Sequence, residues 1–300
     1  MGAARASWRA WLAWAAVCLT WGTTGPGIHL AVRSVPPFLL GAARFVVAGA
    51  ILVVAVLMRG GKLPRDAGTW RDVLLTGALL AAANGLFGTG FIVVSGAVGT
   101  LIVSTTAIWL TCIEALRPGG LRPGWKAAAG LVLGLGGVAV LLPWEGGFRP
   151  EQAASYGILL ASSIIWSLSA VYQRARRLGE RLDPLMSAGL QLLVSGAFMW
   201  AAGMALGEGP RWRPTTEGWI AIGYLTVFGS LVGFVAFVYM LERLPADVVG
   251  LYTYLNPLVA AVVDLALFRE PLGVRFWAAS VPILAGVYLV QRSEREKRRI

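Results

Sequence analysis

Ten long apolar segments follow one another along this chain of 300 residues, and this succession constrains the fold more than any other feature. Crossing a hydrocarbon layer about 30 Å thick takes about 20 apolar residues in a helix, and each segment is close to that length. We therefore predict an all-α membrane protein with ten transmembrane helices. The predicted spans are residues 11–32, 37–58, 72–94, 98–116, 126–143, 155–173, 184–206, 218–241, 246–268 and 273–291.

Composition favours a membrane over water as the surroundings of this chain. The chain is 57% hydrophobic and 14% charged, and its mean hydropathy is +0.70. The net charge of +11 would suit nucleic acid, but the basic residues lie mainly between the apolar segments and in the tail, as in cytoplasmic loops. We therefore expect the lipid bilayer of the inner (plasma) membrane as a partner, and no nucleic acid.

The first apolar segment resembles a signal peptide, because Arg5 and Arg9 precede it. It continues to Val32 without a small-residue cleavage site, so we expect it to stay as the first helix. Cys18 and Cys112 both fall within apolar segments, which argues against a disulfide framework or a cysteine metal site.

The basic residues also predict the orientation of the helices. With the amino terminus in the cytoplasm, 19 of the 26 Lys and Arg residues fall on the cytoplasmic side and 6 fall outside, while Arg44 lies within a span. Cytoplasmic loops carry the excess of Lys and Arg in membrane proteins. The sequence therefore predicts a multi-pass protein with both termini in the cytoplasm.

The chain aligns weakly with itself, in order, across its two halves. Five helices per half is an odd number, so the second half enters the membrane upside down relative to the first. Inverted repeats of this kind are common in transporters, where two similar halves exchange conformations. We predict two inverted five-helix repeats, residues 1–146 and 147–300. The matching pairs are Trp21 and Trp166, Pro37 and Pro184, Arg44 and Gln191, Ala107 and Pro257, Glu114 and Asp264, and Gly136 and Gly286.

Short motifs at ordered positions resemble the drug/metabolite transporter superfamily, and within it the EamA-type family. They are Trp21-Gly22-Thr23-Thr24, Ala43-Arg44-Phe45, Leu244-Pro245-Ala246, Leu255-Asn256-Pro257-Leu258 and Arg269-Glu270-Pro271-Leu272. The resemblance implies a ten-helix bundle with a central cavity and alternating access. It also implies the export of metabolites such as amino acids or amphipathic, cationic compounds, without a cofactor.

The first half departs from the family pattern in its fourth helix. Ala107 stands where the family has a proline, whereas the second half keeps Asn256-Pro257. Proline removes a backbone donor from a helix and frees carbonyl groups. We therefore expect helix 9 to break at Asn256-Pro257, and helix 4 to be the straighter of the two.

Aromatic residues are the first candidates for the substrate site. Trp21 and Trp166 are repeat partners near the predicted midplane, where substrate sites of transporters lie. Indole rings suit amphipathic or cationic ligands through stacking and cation–π attraction. Trp109 and Tyr252 are further candidates for the cavity wall. Packing alone is the alternative role for each ring.

Polar residues within the apolar segments are the second set of candidates, since burying them in hydrocarbon is costly. Arg44 could bind a substrate carboxylate, or it could fix the packing of neighbouring helices. Its partner Gln191 is neutral, and Asn256 lies near the midplane. Glu114 and Asp264 could carry a proton or act as gates, or each could pair with a nearby arginine.

Three classes of function remain open at this point. A secondary transporter agrees best with the inverted repeat. A membrane-embedded enzyme would need a cluster of catalytic side chains, and a single histidine, His29, argues against both an enzyme and a multi-histidine metal centre. A non-transporting scaffold is the third class. The sequence leaves open whether the chain is a monomer or a homodimer.

Overall fold

The computed structural model describes residues 8–117, 125–141, 149–241, 243–244, 251–269 and 272–297. Within these ranges every regular element is helical and there is no strand, which confirms the all-α class. A short 3₁₀ turn at Gly209–Arg211 and a π-helical segment at Leu225–Val232 join the α-helices. The helices are α1 Trp8–Gly22, α2 Thr24–Ala31, α3 Pro37–Met58, α4 Ala67–Gly90, α5 Gly96–Val103, α6 Thr106–Leu116, α7 Trp125–Val140, α8 Pro150–Ala175, α9 Leu178–Arg181, α10 Pro184–Ala205, α11 Thr216–Tyr224, α12 Gly233–Leu241, α13 Tyr252–Leu267 and α14 Val274–Lys297.

Seven helical stretches in the described part of the chain are long and apolar enough to cross a membrane. Two shorter apolar helices, α7 and α13, accompany them, and α1 and α2 share the first apolar segment. The count of ten spans and the orientation of the termini stay predictions. The seven stretches are Pro37–Met58, Ala67–Gly90, Gly96–Leu116, Pro150–Ala175, Pro184–Ala205, Thr216–Met240 and Val274–Arg292.

Helix 4 of the sequence prediction is interrupted, contrary to the expectation that it would be the straighter one. It divides into α5 and α6 at Ser104-Thr105. The hydroxyls of Ser104, Thr105 and Thr106 each donate to a carbonyl three residues earlier, at 2.6, 2.7 and 2.6 Å. Such bonds compete with the helical ladder and bend it. Three consecutive hydroxyl residues therefore interrupt this helix, although it lacks the proline of the family pattern.

Helix α13, in contrast, runs unbroken from Tyr252 to Leu267 with Pro257 inside it. The expected break at Asn256-Pro257 is therefore wrong. With its amide oriented to donate, Asn256 reaches the Tyr252 carbonyl at 3.0 Å and the Cys18 carbonyl at 3.2 Å. These bonds hold the start of α13 together and tie it to α1.

Helices that pack side by side do so through glycines. A Cβ atom added to Gly130 of α7 would lie 2.6 Å from the Gly286 carbonyl oxygen of α14, and one added to Gly286 would lie 2.5 Å from that of Gly130. In α3, a Cβ on Gly49 would meet the Gly189 carbonyl of α10 at 2.7 Å. Small residues at such crossings let membrane helices approach closely.

The helices pair in a regular way around the bundle. Helix α3 packs along α10, and α7 packs along α14. Helix α1 contacts α12 and α13, while α8 contacts α4 and α6. The main apolar core joins α2, α5, α8, α11, α13 and α14, so it takes residues from both halves of the chain.

Candidate substrate site

Trp21 lies at the centre of a group of four aromatic side chains from three helices. Its ring centre is 5.8 Å from that of Phe234, 4.9 Å from Phe237 and 5.3 Å from Tyr252. The indole Nε1 donates to the Gly229 carbonyl at 3.2 Å. All four side chains are half-buried. We call these four residues the Trp21 group.

The π-helical segment makes this arrangement possible. Gly229 lies in the segment Leu225–Val232, which precedes α12 and thus Phe234 and Phe237. A π-helix displaces the carbonyls from the regular helical ladder and is frequent at functional sites. Here one of its carbonyls accepts the Trp21 bond. A signal for it in the sequence is the pair Gly229-Ser230 within an apolar run, which the sequence analysis does not use.

Trp166 of α8 is half-buried and approaches the same part of the bundle. Trp166 and Phe234 both pack against one apolar core, and Phe234 also contacts Trp21. Trp166 and Phe234 therefore lie against the same core, and no ring contact involving Trp166 occurs among the described residues. That core consists of Ala42, Phe45, Ala48, Leu52, Leu80, Ala81, Leu192 and Met199.

Arg44 is buried next to this core, and the described part of the chain offers it no counter-charge. It is 6% exposed, and its guanidinium carbon lies 4.5 Å from the centre of the Phe45 ring. Among the described residues no carboxylate pairs with it, and its Nε has no hydrogen-bond partner. An unpaired buried charge costs several kcal/mol. The structure thus offers no support for a role of Arg44 in pairing neighbouring helices.

Gln191, the repeat partner of Arg44, is engaged within its own helix. Its Nε2 donates to the Ser187 hydroxyl at 2.9 Å, one turn earlier in α10. The side chain is buried, and no hydrogen bond joins it to Arg44. No hydrogen bond therefore connects these two repeat partners, although their helices pack along each other.

Glu114 and Asp264 have different surroundings. Glu114 pairs with Arg117 at 3.2 Å, one turn along the chain, as in the simpler of the two predictions. Asp264 is fully buried, and its Oδ2 accepts the Ala97 amide at 2.6 Å. Asp264 therefore caps the first turn of α5 from α13, where an acid also balances the positive end of the helix dipole.

The remaining candidates, Tyr252, Asn256 and Trp109, lie in different surroundings. Tyr252 belongs to the Trp21 group, and Asn256 sits one turn further along α13 with its bonds to α1 and α13. Trp109 of α6 is half-buried, and within the described part of the chain its indole Nε1 has no hydrogen-bond partner. No ring contact joins Trp109 to Trp21 among the described residues.

The sequence analysis missed a second polar cluster, at the end of the bundle predicted to face the cytoplasm. The fully buried Asp72 of α4 accepts Tyr172 Oη at 2.9 Å, Arg176 Nε at 3.2 Å and Arg181 Nη1 at 2.8 Å. We call these four residues the Asp72 cluster. They join α4, α8 and α9. The sequence analysis counts Arg176 and Arg181 only as loop charges. The signal for the cluster in the sequence is Asp72, a single acid at the start of a span.

Outside the spans, Asp66 extends the same cluster. It accepts the amide and the hydroxyl of Thr69 at 2.7 and 2.6 Å, and its Oδ1 accepts Arg181 Nη2 at 2.9 Å. The Thr69 bonds and the charge of Arg181 lower the pKa of Asp66. The bond to Asp72 raises the pKa of Arg181. The exposed Asp66 thus caps α4 and ties α9 to it.

No group of three or more His, Cys, Asp or Glu side chains that could hold a metal ion occurs in the described ranges. The bundle does provide an aromatic group, and a buried cation over Phe45 of the core against which Phe234 packs. Rings bind apolar or cationic surfaces, and a guanidinium binds carboxylates.

The helical architecture and this interior define a multi-pass membrane protein. The chain belongs to the EamA-like transporter family, whose profile matches it twice, at residues 8–142 and 154–292. The chain is therefore a transporter of that family, in agreement with the resemblance of its motifs.

Relatives with curated names are similar over nearly the whole chain. The uncharacterized inner membrane transporter YedA of Escherichia coli K12 is 29% identical, over 92% of this chain and 88% of its own length. The uncharacterized transporter YvbV of Bacillus subtilis is 27% identical, over 93% and 90%. The aromatic amino acid exporter YddG of Ancylobacter novellus is 29% identical, over 87% and 88%. These names support an inner-membrane location and a transporter rather than an enzyme.

A solved crystal structure has the same fold. It superimposes with a TM-score of 0.64 at 23% identity, and the match covers 93% of this chain and 95% of that chain. At this identity the match concerns the fold alone.

Proposed function

We propose that this transporter exports small amphipathic metabolites that carry a carboxylate, with amino acids of apolar or aromatic side chain as the main class. The observation that carries the proposal is the buried guanidinium of Arg44, which has no counter-charge among the described residues. A substrate carboxylate would supply the missing charge. The Trp21 group would stack on the apolar part of the substrate.

The pairing of helices supports alternating access by two inverted repeats, residues 1–146 and 147–300. In the two predicted repeats, α1 corresponds to α8 and α4 corresponds to α12. The contact of α1 with α12 therefore has its counterpart in the contact of α8 with α4. The pairs α3–α10 and α7–α14 each consist of two corresponding helices, one from each repeat, packed against each other. The two family matches, one in each half, support the same division.

The name of one relative supports the substrate class. YddG of Ancylobacter novellus, which is 29% identical, is named an aromatic amino acid exporter. An aromatic amino acid has a ring for the Trp21 group and a carboxylate for Arg44. An amphipathic cation is the second candidate, because the four rings of the Trp21 group also favour positive charge.

The direction of transport can be tested in bacteria that express the chain. Cells are preloaded with labelled phenylalanine, and the rate of its release is compared with that of cells without the chain and of cells expressing Arg44→Gln. Faster release by the intact chain alone supports the proposal. Equal release from all three strains at matched expression would refute it.

A further inference from the structure

A groove with a volume of about 720 Å³ opens on the outer surface of the bundle, between α4 and α10. Its wall is mostly apolar and exposed: Leu74 is 47% exposed, Leu75 42% and Phe198 45%. Ala67, Arg71, Leu74 and Ala78 follow the i, i+4, i+7, i+11 spacing of one helix stripe. The groove is lined by Arg65, Ala67, Trp70, Arg71, Leu74, Leu75, Ala78 and Phe198.

Two arginines stand at one end of this groove. Arg65 and Arg71 are both exposed, and Arg65 makes no hydrogen bond or ion pair within the described ranges. The turn that carries Arg65 is fixed, because the Trp70 indole donates to the Pro64 carbonyl at 2.9 Å. The backbone at this end of the apolar wall is therefore ordered, and both exposed arginines extend from it.

The neighbouring acids leave this positive charge in excess. Asp72 lies 3.5 Å from Arg71, but its carboxylate already accepts bonds from Tyr172, Arg176 and Arg181. Asp66 is bonded to Thr69 and to Arg181. Asp72 is thus shared among Arg71, Arg176 and Arg181, and Asp66 pairs with Arg181. With Arg65 counted, these two carboxylates stand among four arginines, so the mouth of the groove favours an anion.

The apolar part of the groove continues deeper along the helices. Ala78 lies seven residues beyond Arg71, which is about 10 Å along α4. Val194 of α10 packs against Gly77, and Phe198 is one turn further along α10. A ligand that fills the groove therefore has an anionic end at the arginines and an apolar chain that reaches Phe198.

We propose that this groove binds an anionic phospholipid, with its phosphate between Arg65 and Arg71 and one acyl chain along α4 as far as Phe198. Basic pockets beside membrane helices bind lipid head groups in this way, and an interfacial tryptophan such as Trp70 suits the head-group level. This site is separate from the Trp21 group. It would tie the bundle to the anionic lipids of its membrane.

The proposal is tested on the whole purified chain in mild detergent, with equal amounts of phosphatidylglycerol and phosphatidylcholine of the same acyl chains. Native mass spectrometry measures which lipid stays bound. The wild type is expected to retain phosphatidylglycerol in preference. Arg65→Gln with Arg71→Gln should lower its retention about tenfold. Arg65→Gln alone removes no bond of the fold and should lower it in the same direction.

Two further variants serve as controls. Arg59→Gln with Arg174→Gln removes the same charge from two exposed arginines that do not line the groove, and it should leave retention unchanged. Ala78→Phe fills the groove while both arginines remain, and it should lower retention. The proposal is overturned if the wild type shows no preference, if the groove variants retain the lipid, or if the control pair loses as much as they do.

Discussion

Arg44 is a buried charge that no carboxylate among the described residues neutralises. Burying a charge in a membrane protein is tolerated when a partner or a water-filled path offsets its cost. The Phe45 ring at 4.5 Å offers a cation–π contact, which offsets only a small part of that cost. The burial of this charge is explained if the substrate carries the carboxylate that pairs with Arg44.

Substitution of Arg44 should change transport in a way that depends on the substrate. In proteoliposomes, Arg44→Gln should lower phenylalanine transport about 10- to 100-fold, because a charge-assisted bond to the carboxylate is lost. Phenethylamine, which lacks the carboxylate, should show no such loss. Arg44→Lys should restore part of the rate. An equal effect on both substrates would assign Arg44 a structural role.

Trp21 and Trp166 should contribute to transport by stacking on the substrate. Trp21→Ala together with Trp166→Ala should lower transport about tenfold in protein that still folds, although the lost packing lowers its melting temperature. Trp21→Phe keeps a ring beside Phe237 and serves as the matched control. Unchanged transport in the double variant, measured by exchange of labelled substrate, would remove both residues from the cavity wall.

At the scale of helices, the sequence predicted where the apolar segments lie better than where they bend. Segment positions follow from hydropathy, which is a local property. The interruption at Ser104-Thr105 depends on hydroxyls choosing carbonyls in their own helix, and the continuity of α13 depends on Asn256 bonding to α1. The first is a local side-chain effect and the second a tertiary one, and neither is visible in the positions of the prolines.

The glycines that were matched by the internal repeat also differ in what surrounds them. Gly286→Ala should destabilise the bundle by about 1–3 kcal/mol, because its Cβ would meet the Gly130 carbonyl. Gly136→Ala is the matched control, since nothing lies within 4 Å of its added Cβ. Thermal unfolding in detergent measures both. Equal shifts for the two variants would contradict the close packing of α7 on α14.

On the scale of the whole molecule, the Asp72 cluster holds three helices at one end of the bundle. Asp72→Asn should lower the free energy of unfolding by about 1–3 kcal/mol, because charge-assisted bonds to Arg176 and Arg181 are lost. Thermal unfolding at neutral pH measures the change. Tyr172→Phe removes one neutral donor and should cost less. A larger loss for Tyr172→Phe would contradict the assignment.

Acid should act on the same end of the bundle through Asp66. Because its pKa is lowered in the folded protein, the stabilisation it contributes is complete above the ordinary aspartate pKa. It is lost as the pH falls through the lowered value. Unfolding measured from neutral to acidic pH should show this decline in the wild type, and a smaller one in Asp66→Asn. Identical profiles would exclude Asp66 as a contributor.

The candidate site was predictable in part from the order of motifs. Depth and the repeat point to Trp21 and Trp166, and Tyr252 is a further candidate; in the structure Tyr252 contacts Trp21, while Trp166 packs against the same core as Phe234. Phe234 and Phe237 could not be selected, because aromatic residues are common in any apolar segment. The capping role of Asp264 depends on Ala97, which is distant in the chain, whereas Gln191 bonds to Ser187 of its own helix, a choice that the residue types alone do not determine.

The most direct measurement is the exchange of labelled phenylalanine across proteoliposomes that contain only this purified protein. The account predicts exchange well above that of protein-free liposomes, inhibited by excess unlabelled tryptophan and lost in Arg44→Gln. Absence of exchange by folded wild-type protein, or equal exchange by wild type and Arg44→Gln, would contradict a transporter that recognises the carboxylate of its substrate.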